Sequence, residues 1–238
     1  MSTQARLALS ARATKLRLVI YDCDGVLIDS EPIADRIVAH ELSAIGWKMT
    51  AEESHRLFLG ISYPDICPMI ENQLGQKLDA TWLPNLLMRV IAAMEQEAEP
   101  VPGARQALDA TTNLGLDWRV ASNSSHAEMA AKFTRTGLSS VVAGRTHSAQ
   151  DIMAAGGQGK PAPDLFLAAA AAASIPPEAC LVIEDSPTGI RAAHAAGMTC
   201  LALVRHGPSD AVTALGAAPF ATMHDLPDLL RHALEAVP

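Results

Sequence analysis

Apolar positions along the chain fall into two regimes. Leu18-Val19-Ile20-Tyr21 is a short uninterrupted apolar run, of the length and branched character of a strand buried on both faces. It breaks into Asp22-Cys23-Asp24-Gly25, and from there the period changes. Ile33, Ile37, Val38, Leu42 and Ile45 recur every three or four residues and stop near Gly46, which predicts an amphipathic helix. Further helical segments follow over about 51–58, 64–74 and 79–98, broken at Gly60, Gly75 and Pro84, with no strand signal before Pro100. Glu99-Pro100-Val101-Pro102-Gly103 closes this stretch as a stiff, helix-incompatible linker.

Beyond the linker, helical and strand patterns alternate. Residues 104–114 read as a helix ended by Gly115, and Trp118–Ala121 as a strand running into Ser122-Asn123-Ser124-Ser125. A helix over 126–136, a strand at Val141–Ala143 and a Gly156–Gly159 loop lead to Lys160-Pro161-Ala162-Pro163-Asp164. The alanine-rich segment 165–173 is helical, Ala179–Ile183 is a buried strand ending in Glu184-Asp185-Ser186, and 188–196 is a helix stopped by Gly197. A strand over 199–204, a weak one near Phe220 and a helix over about 226–235 complete the pattern. Alternating β and α units imply a doubly wound parallel sheet, so the fold class is α/β with an inserted all-α block. The expected division is an N-terminal extension over 1–15, a core over 16–32 and 101–238, and the helical insert over 33–100.

Composition narrows the classes of function. Apolar residues make up 49% and charged residues 18%, which is ample for a core and unlike a disordered chain. A formal charge of −8 argues against nucleic-acid or anionic-membrane partners, so an anionic ligand needs a local positive centre. No apolar run approaches the ~18 residues of a membrane span. Cys23, Cys67, Cys180 and Cys200 are far apart and read as reduced thiols of a cytoplasmic protein. The first 17 residues hold Arg6, Arg12, Lys15 and Arg17 and no acid, a composition that transit peptides share; the plainer reading is a loose extension.

The chemistry gathers at predicted strand ends. On an extended backbone Asp22 and Asp24 leave the strand on the same side, and two hard carboxylates so placed suit Mg²⁺. Gly25 allows a tight turn and close backbone approach to a ligand. Asp-x-Asp-Gly alone is equally a turn. Ser122-Asn123 reads as a helix cap, an arrangement that also binds anions. Lys160 alone reads as a solvated loop lysine, and Glu184-Asp185 as a helix start. In a parallel sheet, however, all strand C-termini line one edge, where these groups can converge.

Four motifs in this order resemble the haloacid dehalogenase-like (HAD) hydrolase superfamily, in the branch that contains β-phosphoglucomutase and small-molecule phosphatases. The matching segments are Asp22–Glu31, Ala121-Ser122-Asn123, Gly159–Asp164 and Ile183–Ile190, with the helical block where this branch carries a cap. The resemblance implies that Asp22 is a nucleophile forming an aspartyl-phosphate and that Asp24 is a general acid and base. It implies Mg²⁺ on Asp22, the Asp24 carbonyl and Asp185, with Glu184 in the outer shell, and phosphate binding by Ser122, Asn123 and Lys160. Dehalogenases of the superfamily usually lack the second acid, so Asp24 argues for phosphate chemistry.

Phosphomutases of this branch carry a His ten residues after the second Asp, where this chain has Ala34. They also carry an Arg after a Gly-x-Ser of the cap, where Gly60-Ile61-Ser62 is followed by Tyr63. A phosphatase releasing phosphate from a small metabolite, such as a sugar phosphate, is therefore favoured over a mutase. A binding protein on an inactive scaffold would have lost one of Asp22, Asp24, Lys160 or Asp185, and all are present. Gly60, Tyr63 and Arg56 are the candidates for substrate selection. The histidines, including His126 beside the second motif and His206, show no metal spacing. Gly156–Gly159 resembles an insertion that loosens the placement of Lys160. Monomer and homodimer are both compatible with the sequence.

Overall fold

The computed structural model describes residues 3–11, 14–205 and 209–236; Arg12 and His206 lie outside them. The chain starts with helix α1 (Thr3–Ser10), in which Ala5 and Leu9, one turn apart, are fully buried. They pack against the C-terminal helix and the last strand. The expected loose extension is thus an ordered helix over 3–10, because this i,i+4 apolar pair meets a matching apolar face. Strand β1 (Leu18–Tyr21) is buried along its whole length. Its side chains alternate between two cores, Val19 and Tyr21 on one face and Leu18 and Ile20 on the other.

After β1 the chain turns through Gly25 into the short strand β2 (Ile28–Asp29) and four helices: α2 (Glu31–Ala44), α3 (Ala51–Phe58), α4 (Tyr63–Leu74) and α5 (Trp82–Glu97). Helix α3 starts with a full capping box, in which Thr50 accepts from Glu53 N–H and the Glu53 carboxylate accepts from Thr50 N–H. The return is β3 (Glu99–Pro100), which pairs antiparallel with β2 as Ile28 with Pro100 and Asp29 with Glu99. The predicted linker is therefore one strand of a two-stranded ribbon, and both chain crossings into the helical cap lie side by side.

The core continues with α6 (Ala104–Asn113), β4 (Asp117–Ser122), α7 (His126–Arg135), α8 (Ser139–Val142), β5 (Thr146–Ser148), α9 (Ala149–Ala154) and α10 (Asp164–Ala172). Then come β6 (Cys180–Glu184), α11 (Pro187–Ala195), β7 (Thr199–Leu203), α12 (Asp210–Ala214), β8 (Ala218–Phe220) and α13 (Leu226–Glu235). The expected strand at 141–143 is the end of helix α8, and the strand forms three residues later. There, half-buried Thr146 and His147 carry the β4 register with little apolar signal.

The sheet order is β5-β4-β1-β6-β7-β8, with every pair parallel. Strand β1 sits between β4 and β6, where the winding reverses, and ligands of such sheets bind outside the strand ends at that point. No helix among the described residues is long and apolar enough to cross a membrane.

Candidate active site

Asp22 emerges from β1 with its N–H donating to Ile183 C=O of β6 at 2.9 Å, which fixes it beside the end of that strand. Lys160 Nζ reaches across, 2.6 Å from Asp22 Oδ1 and 2.7 Å from Glu184 Oε1, and stands 4.8 Å from the centroid of the Phe166 ring. The other Glu184 oxygen accepts from Asp185 N–H, Ser186 N–H and Ser186 Oγ, so both of its oxygens are engaged. One ligand oxygen each from Asp22, Glu184 and Asp185 lie within 4.8 Å of one another. Two glycines make room for this cluster. A Cβ on Gly25 (φ +71°) would fall 1.7 Å from Asp185 Oδ2, and one on Gly189 would fall 1.6 Å from Glu184 Oε1.

Lys160 pairs with two of these three carboxylates, Asp22 and Glu184. Burial pushes Asp22 up to about 8, with Lys160 opposing and the Glu184 and Asp24 charges adding to the rise. Burial, followed by the charges of Glu31, Glu184 and Asp22, pushes Asp185 well above the usual carboxylate range. A buried excess of hard, convergent oxygen ligands is what a divalent cation relieves, so the residues fit such an ion.

Asn123 does not point its amide at a free anion site. Its Oδ1 accepts from Lys160 N–H at 2.9 Å and its Nδ2 donates to Lys160 C=O at 3.2 Å. A Cβ on Gly159 would meet Asn123 Oδ1 at 2.9 Å. The glycine-rich loop is therefore clamped against the β4 end, and the expectation that it loosens Lys160 is corrected.

Asp24 takes a different path from Asp22. Strand β1 ends at Tyr21, so the two-residue period that predicts a shared side stops before Asp24. Its Oδ1 accepts from Ser30 Oγ and from Lys132 Nζ at 2.5 Å; its Oδ2 accepts from Ser124 Oγ at 2.8 Å and Ser122 Oγ at 3.2 Å. Burial works upward on Asp24, but the Lys132 charge and these hydrogen bonds outweigh it and hold the carboxyl near 2. Lys132 and Ser124 escaped the sequence reading. The signal for Lys132 is a charged residue on the apolar side of α7, between buried Met129 and Phe133 and one turn after buried Glu128.

Above this edge, the cap closes a cavity of about 350 Å³ whose wall includes all of Asp22, Asp24, Ser122, Asn123, Lys160, Glu184 and Asp185. Gly60 and Tyr63 line it as well, and a Cβ on Gly60 would come within 3.0 Å of Ser186 Cβ, so the cap loop rests directly on the core. Arg56 is exposed and absent from the lining. The neighbouring His55 lines the cavity instead, its Nδ1 2.9 Å from Asp35 Oδ2. One residue along a helix turns the side chain by about 100°, which sends Arg56 to the solvent face. His126 pairs with Asp151 on the surface at 2.8 Å.

The sequence model of the haloacid dehalogenase-like hydrolase family matches residues 16–197. A phosphorylated carbohydrates phosphatase of Thermotoga maritima is 27% identical over 228 residues, 92% of this chain and 100% of that protein. Protein SUPPRESSOR OF QUENCHING 1, chloroplastic, of Arabidopsis thaliana is 29% identical over 198 residues, 79% of this chain, and the match spans 18% of its length. A HAD family hydrolase from Deinococcus radiodurans R1, solved with bound phosphate and sodium, is 32% identical with a TM-score of 0.70, covering 93% of this chain and 96% of that one. The family match runs from the lead-in to β1 to the turn after α11, across every strand end that feeds the site, and the chain belongs to the haloacid dehalogenase-like hydrolases.

Proposed function

We propose that this protein is a Mg²⁺-dependent phosphatase that hydrolyses a small phosphomonoester, such as a sugar phosphate, through an aspartyl-phosphate on Asp22. The observation that carries this reading is the buried Asp22 carboxylate at the sheet's switch point, 2.6 Å from Lys160 Nζ and within 4.8 Å of ligand oxygens of Glu184 and Asp185. Asp22, the Asp24 carbonyl and Asp185 would hold the cation, and Glu184, with both oxygens already bonded, would support them from outside. When bound, Mg²⁺ neutralises charge on the phosphoryl oxygens.

In the first half-reaction an Asp22 oxygen bonds to phosphorus as the bond to the leaving oxygen breaks, and Asp24 protonates that oxygen. In the second, Asp24 takes a proton from water, whose oxygen attacks phosphorus and releases phosphate and the Asp22 carboxylate. Ser122 and Lys160 offer donors to the phosphoryl oxygens, and Asn123 serves by fixing the Lys160 backbone. Lys132 keeps Asp24 as the carboxylate that the second half needs; the first half requires that grip to loosen.

The name of the Thermotoga relative supports phosphatase chemistry on a carbohydrate ester. A mutase would need a cap cation for the distal phosphate of a bisphosphate, and the cap contributes no Lys or Arg to the lining among the described residues. The free cysteines fit a reducing compartment such as the cytoplasm.

The test is phosphate release from a panel of sugar phosphates with Mg²⁺ and with EDTA. Release that EDTA abolishes is expected, whereas isomerisation of a primed hexose 1-phosphate without net release would make the protein a mutase.

A further inference from the structure

Beyond the phosphoryl subsite, the cavity is walled by the cap. Val38, Phe58, Ile61, Ile66, Leu87 and Met94 make this roof largely apolar. Its charged and polar members are Glu31, Asp35 and His55, with Ser54, Ser62 and Tyr63 beside them. Both lysines of the lining come from the core and are already paired. Lys132 lies 2.5 Å from Asp24, and Lys160 lies 2.6 Å from Asp22 and 2.7 Å from Glu184. Glu128, from α7, adds another carboxylate to the wall. The part of the cavity that receives the leaving group therefore offers carboxylates, one histidine and hydroxyls, and no uncommitted Lys or Arg among the described residues.

We infer that the leaving group is an uncharged, hydroxyl-bearing alcohol, and that Asp35 and His55 select it by bonding its hydroxyls while the Asp35 carboxylate repels any second anionic group. This rests on the phosphatase reading. Asp35 Oδ2 holds His55 Nδ1 at 2.9 Å, which leaves the second ring nitrogen to meet a substrate hydroxyl beside the Asp35 carboxylate. The apolar roof takes the carbon skeleton. A substrate carrying a carboxylate or a second phosphate would bring that charge beside Asp35 with no uncommitted Lys or Arg of the lining to pair it, and like charges so placed reject a ligand more sharply than lost contacts do.

The experiment compares kcat/KM for three esters on one carbon skeleton: a neutral hexose phosphate, the matching phosphorylated aldonic acid and the hexose bisphosphate. p-Nitrophenyl phosphate serves as a generic ester. For the wild type, the neutral ester is expected to lead both anionic ones by roughly 30-fold, about 2 kcal/mol. Asp35→Asn, which removes the charge and keeps a partner for His55, should narrow that ratio by roughly fivefold or more. Tyr63→Arg, which adds a cation to the roof, should narrow it further. The ratio is taken within each variant, so a shared loss of activity cancels.

Equal or reversed preference in a wild type that hydrolyses p-nitrophenyl phosphate overturns the inference and leaves the phosphatase reading standing. A preference that neither variant alters removes Asp35 as its source. Failure to hydrolyse any ester, the generic one included, overturns both.

Discussion

Replacing Gly25 by alanine tests the site at its tightest point. Gly25 has φ +71°, and an added Cβ would lie 1.7 Å from Asp185 Oδ2 and 2.6 Å from its Cγ. Ordinary contact begins near 3.4 Å, so the carboxylate must retreat by about 1.7 Å or the turn must open. The left-handed backbone itself costs a non-glycine residue about 1–2 kcal/mol. For a chain of this size that lowers Tm by roughly 2–8 °C. The functional loss should be far larger, because a misplacement of about 1 Å in a reacting constellation costs on the order of 100-fold.

Gly46→Ala is the control. Gly46 has φ +105° and nothing within 4 Å of its would-be Cβ, so that variant carries the backbone strain without the collision. Thermal unfolding, Mg²⁺ titration by calorimetry and kcat/KM for phosphate release on both variants separate the two effects. Both should melt a few degrees early, and only Gly25→Ala should lose Mg²⁺ affinity and roughly 100-fold or more in kcat/KM. A Gly25→Ala protein that binds Mg²⁺ and turns over within about threefold of wild type would refute the placement of Asp185 in this reasoning.

Other substitutions probe groups that act at a distance from the phosphoryl subsite. Asn123→Ala unclamps the Lys160 backbone and should lower kcat by roughly 10–100-fold while leaving KM nearly unchanged, as steady-state kinetics would read. Lys132→Met leaves Asp24 without its ion-pair partner; it should destabilise the fold by about 3–5 kcal/mol in urea unfolding and slow the second half-reaction in burst kinetics. Leu9→Ala removes a fully buried side chain from α1 and should cost about 2–5 kcal/mol with kcat unchanged, which tests whether this helix belongs to the folded core.

The strand ends were legible because their signals are local. A branched apolar run followed by Asp, Ser-Asn or Glu-Asp marks a buried strand meeting a polar edge, and β1, β4 and β6 all carry that mark. Strand β5 was shifted because Val141 and Val142 are apolar for helix packing, whereas Thr146–Ser148 pairs only with β4 and needs little apolar character. The pairing of Lys132 with Asp24 spans 108 residues and depends on how α7 lies against the edge, which periodicity does not encode. Arg56 is one residue from the cavity-lining His55, and that step of helical phase turns it to solvent. Asn123 lies at the end of β4, but its partners belong to a loop whose path only the folded chain defines.

The most direct test of the central claim is to trap the intermediate. The enzyme is mixed with a hydrolysable phosphomonoester and Mg²⁺, quenched in acid within the first turnover, and mapped by peptide mass spectrometry. One added phosphoryl group is expected on the peptide containing Asp22, absent in Asp22→Asn and absent when EDTA replaces Mg²⁺. Phosphate release at full rate from Asp22→Asn, or a phosphoryl group found on another residue, would contradict it.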